Sequence, residues 1–247
     1  MSTNTVQKNL VLLPGIDGTG LMFEPFLKVL RAPYRALVVS YPKDKPLHYY
    51  DLLPCIREVV PWKEPFSIIA ESFAGPLALE FASRQWEDVE SVILCASFIA
   101  SPFEPFVQFG QSILETAFFR KVPPLWLLQK YMTGENPPEP LVSKLKECLA
   151  EVSPEVLSYR TRMIANTNAS QQLMRCKPPL VYIEATKDEL VGSRGWEQIA
   201  EIRPDTAHFK VDAPHLLLQT RPQEALAVME RYWKAREQKK PLDGVAA

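Results

Sequence analysis

The sequence of 247 residues contains no uninterrupted apolar run close to the ~20 residues that an α-helix needs to cross a bilayer, which excludes a membrane-spanning protein. It also has almost no net charge, because 28 basic side chains face 29 acidic ones, so its electrostatics do not favour nucleic acid. The polar segment 1–9 lacks the basic and then hydrophobic pattern of a secretion signal. With 47% hydrophobic residues the chain is too apolar to be mainly disordered, and we expect one globular domain in the cytoplasm.

Cysteine is scarce, and the cysteines that are present stand far apart. There are four: Cys55, Cys95, Cys148 and Cys176. None of the close pairs used by zinc sites or redox motifs occurs, and a disulfide scaffold is not expected in a chain of this length. We therefore expect buried thiols, no bound metal and no cofactor. The sequence leaves the oligomeric state open.

What the sequence does contain is an alternation of short apolar runs and helical patterns. The runs predict strands buried on both faces, at 10–13, 36–40, 66–70, 91–96, 180–185 and 207–211. Between them, helical spacing predicts helices at 49–60, 73–84, 194–202 and 222–233. Alternating strands and helices indicate an α/β protein with a mostly parallel, doubly wound sheet.

The alternation fails from about residue 98 to residue 177. Helix-like segments at 141–150 and 154–165 follow one another there without a strand, and the region is rich in proline, which breaks helices into short pieces. We therefore predict a core made of residues 1–97 and 178–247, with residues 98–177 inserted as a helical cap over the carboxyl edge of the sheet.

The loop after the third strand has the context of a nucleophile elbow, in which a serine occupies a sharp turn from strand to helix. Its sequence is Ala70-Glu71-Ser72-Phe73-Ala74-Gly75. The residues two positions either side of the serine must be small because strand and helix nearly touch, and alanine meets this limit, although the usual motif has glycine at both places. The alternative interpretation is a serine that only caps a helix.

The loop after the first strand is rich in glycine and reads Leu13-Pro14-Gly15-Ile16-Asp17-Gly18-Thr19-Gly20. Such a loop can present backbone amides to an oxyanion, and we assign Ile16 and Phe73 as the two donors. A phosphate cradle is the competing interpretation, but the order G-x-x-G-x-G matches neither nucleotide motif. Asp17 is expected to hold the turn by bonding its own backbone.

An acid and a histidine follow the serine in the order that this kind of site requires. Asp188 lies in the loop after the penultimate strand, and we prefer it to Glu189, while the alternative for both is a solvated acidic turn. Of the three histidines, His215 lies just past the last strand, where it can reach the serine as a general base. His208 falls within the last strand and His48 precedes the serine.

These four loops together resemble the α/β-hydrolase superfamily, in particular its small microbial esterases, lipases and thioesterases. The leading segment also looks like the hydrolase half of plant phytyl ester synthases, but their acyltransferase domain with its H-x4-D motif is absent. The resemblance implies an α/β-hydrolase fold with Ser72 as nucleophile, Asp188 as orienting acid and His215 as base. It also implies oxyanion donors at Ile16 and Phe73. Two departures are the alanines of the elbow and Pro14, which stands where many relatives have histidine.

The expected activity is metal-independent hydrolysis of a carboxylic ester through an acyl-serine intermediate. An acyl thioesterase or an acyltransferase would use the same residues, and a non-catalytic binding protein could share the fold. Aromatic residues after the fourth strand predict an apolar acyl pocket walled by Phe98, Phe103 and Phe106. We therefore expect a small-molecule substrate with an uncharged acyl chain of short to medium length.

Overall fold

The computed structural model describes residues 7–85, 87–102 and 131–239. Its strands are β1 Lys8–Leu13, β2 Tyr34–Val38, β3 Phe66–Glu71, β4 Val89–Cys95, β5 Leu180–Ala185 and β6 Ala207–Val211. A 3-10 turn at Leu21–Phe23 leads into the first helix. The helices that are described over their whole length are α1 Glu24–Val29, α2 Tyr49–Arg57, α3 Ala74–Ala82, α4 Glu139–Ala150, α5 Pro154–Ala165, α6 Ser170–Arg175, α7 Arg194–Ile202, α8 Leu217–Thr220 and α9 Pro222–Lys239.

The six strands form one sheet in the order β2-β1-β3-β4-β5-β6, and every neighbouring pair is parallel. The predicted doubly wound parallel sheet is therefore confirmed. The strand order reverses between β1 and β3. After β1 the chain continues to β2 at one edge of the sheet, whereas after β3 it continues to β4, toward the other edge. In sheets of this kind the crevice for ligands opens at that reversal, beyond the carboxyl ends of the strands.

Helices cover both faces of the sheet and bury the central strands. On one face the apolar side chains of α2, α3 and α7 pack together, and on the other face those of α1 and α9 do so. Strands β3 and β5 are buried along their whole length, whereas the edge strands β2 and β6 are partly exposed. Burial on both faces explains why the central strands read as continuous apolar runs.

The predicted second strand, 36–40, is displaced by two residues from the strand in the structure. β2 begins at Tyr34 because Tyr34 and Arg35 pair with Lys8 and Asn9 of β1. An edge strand tolerates such polar residues, so its start is not marked by an apolar run.

Between β4 and β5 the described residues form the helices α4, α5 and α6. Helices α4 and α5 share a small apolar cluster with Met22, which follows the glycine-rich loop, and Leu216, which follows His215. Helix α6 instead packs against α3 and α7 beside the sheet. The helical segment thus contacts two of the loops at the carboxyl edge.

None of the described helices is both long and apolar enough to cross a membrane. All four cysteines are free thiols, and Cys95, Cys148 and Cys176 are buried.

Candidate functional site

Ser72 lies in a sharp turn between β3 and α3. Its backbone has a φ of 53°, in the left-handed region that non-glycine residues seldom adopt, and the side chain is half-buried. Three hydrogen bonds fix this conformation: the Ser72 amide donates to the Cys95 carbonyl at 3.0 Å, and the Ser72 carbonyl accepts from the Gly75 amide at 3.1 Å and from Ser97 Oγ at 2.6 Å. A hydroxyl held in this way projects from the turn rather than packing into the core.

The tightest contact of the turn falls at Gly75, beyond the two positions that the elbow motif constrains. A Cβ at Gly75 would lie 1.9 Å from Ser97 Oγ, so a side chain there would force Ser97 to move. Ala70 and Ala74 are fully buried and are accommodated. The two alanines therefore satisfy the size limit, and the glycine that the packing requires is Gly75.

Asp188, His215 and Ser72 form a continuous chain of hydrogen bonds. His215 Nδ1 lies 2.8 Å from Asp188 Oδ2, and His215 Nε2 lies 2.7 Å from Ser72 Oγ. The other oxygen of Asp188, Oδ1, accepts from the amides of Leu190 at 2.8 Å and Val191 at 3.1 Å. The structure thus brings together the three side chains that the sequence order singled out.

Burial and the charge of each partner on the other set the pKa values of Asp188 and His215. Burial by itself disfavours the charged imidazole, but the charge and hydrogen bond of Asp188 and the charge of Glu71 raise the pKa of His215 above its usual range. Burial also opposes ionisation of Asp188, yet the charge and hydrogen bond of His215 and the amides of Val191 and Leu190 hold the pKa of Asp188 below its usual range. The histidine is therefore a stronger proton acceptor than a free imidazole.

The glycine-rich loop after β1 lies next to Ser72. A Cβ built on Gly15 would be 3.9 Å from Ser72 Cβ, which places the backbone of the loop against the serine. The Gly18 amide donates to the Gly15 carbonyl at 3.1 Å and closes the turn, and Gly18 has a φ of 67°. Within the part of the chain that the structure describes, the amides of Ile16 and Phe73 have no hydrogen-bond acceptor. Both amides are therefore available to a ligand.

Asp17 bonds within its own loop, as predicted. Its Oδ1 accepts from the amide and the hydroxyl of Thr19.

The other two histidines have partners other than the serine, and the acid next to Asp188 is exposed. His208 stacks on Trp196, with ring centroids 4.0 Å apart, and its Nε2 lies 2.8 Å from Glu184 Oε2. His48 caps the start of α2, and Glu189 is exposed.

Of the three phenylalanines assigned to the acyl pocket, Phe98 is 2% exposed and belongs to the apolar cluster that also contains Phe73. Phe103 and Phe106 lie outside the described residues. The pocket stays a prediction.

Two buried charged residues next to the site were not identified from the sequence. Glu71 accepts from Gln219 Nε2 at 2.8 Å, and burial raises the pKa of its carboxyl to about 7. Arg160 of α5 is 2% exposed and donates to the carbonyl of Ile16 at 2.8 Å. Glu71 could have been noticed as an acid at the end of an apolar strand, whereas nothing in the local sequence separates Arg160 from Arg162.

No cluster of three or more His, Cys, Asp or Glu side chains suited to a metal ion occurs among the described residues.

Comparison with known proteins identifies the fold of this site. The model of the alpha/beta hydrolase family matches residues 10–228. Among solved structures, a lipase-esterase related protein from Clostridium acetobutylicum superposes with a TM-score of 0.75 at 16% identity, covering 92% of this chain and 95% of that one. An esterase from Exiguobacterium antarcticum has a TM-score of 0.75 at 14% identity, with 93% of each chain covered. At these identities the structural similarity shows the α/β-hydrolase fold, as expected from the sequence.

A curated relative is phytyl ester synthase 1 of Arabidopsis thaliana, a chloroplast protein. It is 27% identical over an alignment of 120 residues, which covers 44% of this chain and 17% of the plant protein. The alignment thus covers a small part of that relative.

Proposed function

Because the chain belongs to the alpha/beta hydrolase family, we propose that it cleaves carboxylic esters through an acyl-serine intermediate, with Ser72 as nucleophile, His215 as general base and Asp188 as the orienting acid. The observation that carries the proposal is the continuous hydrogen-bond chain from Asp188 through His215 to Ser72, with links of 2.8 and 2.7 Å. A serine that only capped a helix would need neither partner.

In the first half of the reaction, Ser72 Oγ attacks the ester carbonyl while His215 Nε2 takes the hydroxyl proton. Asp188 stabilises the imidazolium that forms, consistent with the raised pKa of His215. Collapse of the tetrahedral intermediate breaks the bond to the alkoxide oxygen, and His215 returns the proton to that oxygen. The alcohol leaves and the acyl group stays on Ser72.

In the second half, His215 takes a proton from a water molecule, whose oxygen attacks the acyl carbonyl. The bond from the acyl carbon to Ser72 Oγ then breaks, His215 returns the proton to Oγ, and the carboxylic acid leaves. In both halves the carbonyl oxygen becomes negatively charged. The amides of Ile16 and Phe73 are assigned to this oxyanion because both lack an acceptor within the described residues. Phe73 precedes α3, so the positive end of the helix dipole adds to the stabilisation.

Transfer of the acyl group to an alcohol is the second candidate function, favoured by the partial similarity to a phytyl ester synthase. Chemically it differs only in the second half, where an alcohol replaces water as the attacking group. An acyl thioester would enter the same first half with a thiolate as the leaving group. Esters of uncharged, short to medium acyl chains are the proposed substrates.

Labelling with a fluorophosphonate probe tests the proposed nucleophile. The probe forms a phosphorus–oxygen bond with an activated serine and releases fluoride, and mass spectrometry of the digest then identifies the modified peptide. We expect one labelled peptide, containing Ser72, and loss of both the label and p-nitrophenyl ester hydrolysis in Ser72→Ala.

The matched control is Ser143→Ala, which removes an exposed hydroxyl from α4 and should leave labelling unchanged. Esterase activity retained by Ser72→Ala would show that the nucleophile is another residue. A folded parent protein that neither takes up the label nor hydrolyses any ester would instead favour a binding protein.

A further inference from the structure

Arg160 is a buried charge whose hydrogen-bond partners are main-chain carbonyls. The residue lies in α5 and is 2% exposed. Its Nη1 donates to the carbonyls of Ile16 at 2.8 Å and Asp17 at 2.9 Å, and its Nη2 donates to the carbonyl of Pro42 at 2.9 Å. Among the described residues no carboxylate forms an ion pair with it. Since burying an isolated charge is costly, these carbonyls must compensate for the lost hydration.

The ring of Tyr41 completes this arrangement. The Arg160 guanidinium lies 5.5 Å from the centroid of the Tyr41 ring. The tyrosine hydroxyl donates to the Pro14 carbonyl at 3.2 Å, and its amide donates to the Gly18 carbonyl at 2.7 Å. Arg160 and Tyr41 together therefore bind four of the five carbonyls from Pro14 to Gly18, and the fifth, that of Gly15, accepts from the Gly18 amide.

Gly18 shows how closely these two side chains pack on the loop. A Cβ at Gly18 would lie 2.7 Å from Arg160 Nη1 and 2.7 Å from Tyr41 Cδ2. A side chain at Gly18 would therefore collide with both the guanidinium and the ring, so the loop backbone packs closely against them.

These contacts fix the direction of the loop amides because a trans peptide is planar, with its N–H opposite its C=O. The Gly15 carbonyl points into the turn, toward the Gly18 amide, so the Ile16 N–H of the same peptide points out of it. The orientation of the next two peptides is fixed because Arg160 donates to their carbonyls, those of Ile16 and Asp17. The guanidinium therefore holds the segment that carries the Ile16 donor.

We infer that Arg160 is a positioning residue of the oxyanion loop, through which the helical segment between β4 and β5 controls stabilisation of the transition state. The inference rests on the proposed function, because it requires that Ile16 donates to the oxyanion. A positioning role differs from a purely structural one in one respect. Loss of Arg160 should weaken stabilisation of the oxyanion more than it weakens substrate binding or the proton relay.

The test compares an ester with its thionoester, in which sulfur replaces the carbonyl oxygen. Sulfur is a weak hydrogen-bond acceptor, so an enzyme with preorganised donors prefers the ester, and a damaged oxyanion site lowers this preference. In Arg160→Lys the charge remains but the fork that spans several carbonyls is lost. We expect kcat for the ester to fall about tenfold or more, KM to change less than about twofold, and the ester-to-thionoester ratio of kcat/KM to fall with kcat.

Two controls separate this effect from others. Arg162→Lys changes an exposed arginine of the same helix and should leave kcat and the ratio unchanged. Asp188→Asn weakens the proton relay and should lower kcat while keeping the ratio. Should Arg160→Lys fail to fold, Tyr41→Phe removes only the hydroxyl that binds the Pro14 carbonyl and should lower the ratio by a smaller factor.

A folded variant at Arg160, or Tyr41→Phe in its place, that keeps the parent ratio overturns the inference but leaves the proposed function intact. A parent enzyme that hydrolyses no ester and takes up no fluorophosphonate overturns both. A ratio that falls in the Arg162→Lys control by as much as in Arg160→Lys also overturns the inference, because the effect would then not be specific to the loop contacts.

Discussion

The two oxygens of Asp188 have separate partners, which gives this residue two tasks. Oδ1 accepts from the amides of Leu190 and Val191 and so orders its own loop, while Oδ2 faces His215 Nδ1. The neighbouring Glu189 is exposed. The proposed choice of Asp188 over Glu189 as the orienting acid therefore depends on which of the two adjacent carboxylates faces the imidazole of His215.

We predict that Asp188→Asn lowers kcat by about 10⁴-fold, because the variant loses the charge that stabilises the imidazolium. The measurement is kcat for p-nitrophenyl ester hydrolysis, with circular dichroism to establish that the variant is folded. Glu189→Gln is the matched control and should remain within about twofold of the parent, since a surface substitution has small effects. The opposite ranking of the two variants would assign the acid role to Glu189.

Glu71 makes the stability of the fold depend on pH near neutrality. Burial raises the pKa of its carboxyl to about 7, against 4.5 when unperturbed, so the folded protein binds a proton that the unfolded chain releases between these values. The contribution of Glu71 to the free energy of unfolding is therefore complete below pH 4.5 and is lost as the pH rises through about 7. His215, Asp17 and Cys95 are the titratable groups coupled to this carboxyl.

We predict that Glu71→Gln removes most of the loss of stability that the parent shows as the pH rises. The parent should lose up to about 3 kcal/mol of unfolding free energy between pH 5 and pH 8 from this group, whereas the variant should lose much less. The new amide can donate to Gln219 Oε1, a buried atom without a partner among the described residues, after a rotation of that side chain. Urea denaturation at both pH values measures the difference, and Glu90→Gln, an exposed change, serves as control. Parallel stability curves for parent and Glu71→Gln would contradict the prediction.

At the scale of the elements, two helices approach the loop after β4 through glycines. A Cβ at Gly75 of α3 would collide with Ser97 Oγ, and one at Gly195 of α7 would lie 2.2 Å from both the Ser97 carbonyl and Tyr182 Oη. Ser97 also donates to the Ser72 carbonyl. The position of Ser72 thus depends on how closely α3 packs against this loop.

We predict that Gly75→Ala destabilises the protein by about 1–3 kcal/mol, although the same change in an open helix would stabilise it, because the methyl group overpacks the contact with Ser97. Thermal and urea unfolding measure this effect. Ser97→Gly removes the opposing atoms, so the double variant should be less destabilised than the sum of the two single changes. Simple additivity in the double-mutant cycle would argue against the contact.

A feature of the fold or of the candidate site can be predicted from the sequence when the residues that cause it are close together in the chain or form a pattern along it. The central strands and the order of Ser72, Asp188 and His215 are visible because apolar runs and chain order are properties of the sequence itself. The start of β2 at Tyr34 is not visible, since it depends on pairing with Lys8. Arg160 was missed because its partners at Ile16 and Asp17 are 144 and 143 residues away along the chain.

At the scale of the whole molecule, the proposed acyl specificity depends on the residues that follow β4. Phe98 is buried in the apolar cluster on the α3 face, one residue after Ser97. The cluster also contains Phe73, the proposed oxyanion donor. An uncharged acyl chain that extends toward this region would gain apolar contacts, whereas a carboxylate would lose hydration there.

We predict that kcat/KM rises from acetyl to medium-length acyl esters, each buried methylene adding up to ~0.8 kcal/mol until the pocket is full. A series of p-nitrophenyl esters from acetyl to dodecanoyl measures the profile, with dicarboxylate half-esters of equal length as the charged comparison. A flat profile, or a preference for the half-esters, would rule out an apolar pocket.

The hydrogen bond between Ser72 and His215 joins residues that are 143 positions apart in the chain. Contacts of such long range form late in folding, because the entropy of closing the intervening loop must be overcome first. An intermediate containing β1 to β4 could have its elbow formed and would still have an unactivated serine. Recovery of reactivity after dilution from denaturant should therefore follow the docking of β6 and not the earlier gain of helix. On the proposed mechanism, Ser72 therefore becomes reactive only after β6 has joined the sheet and brought His215 to it.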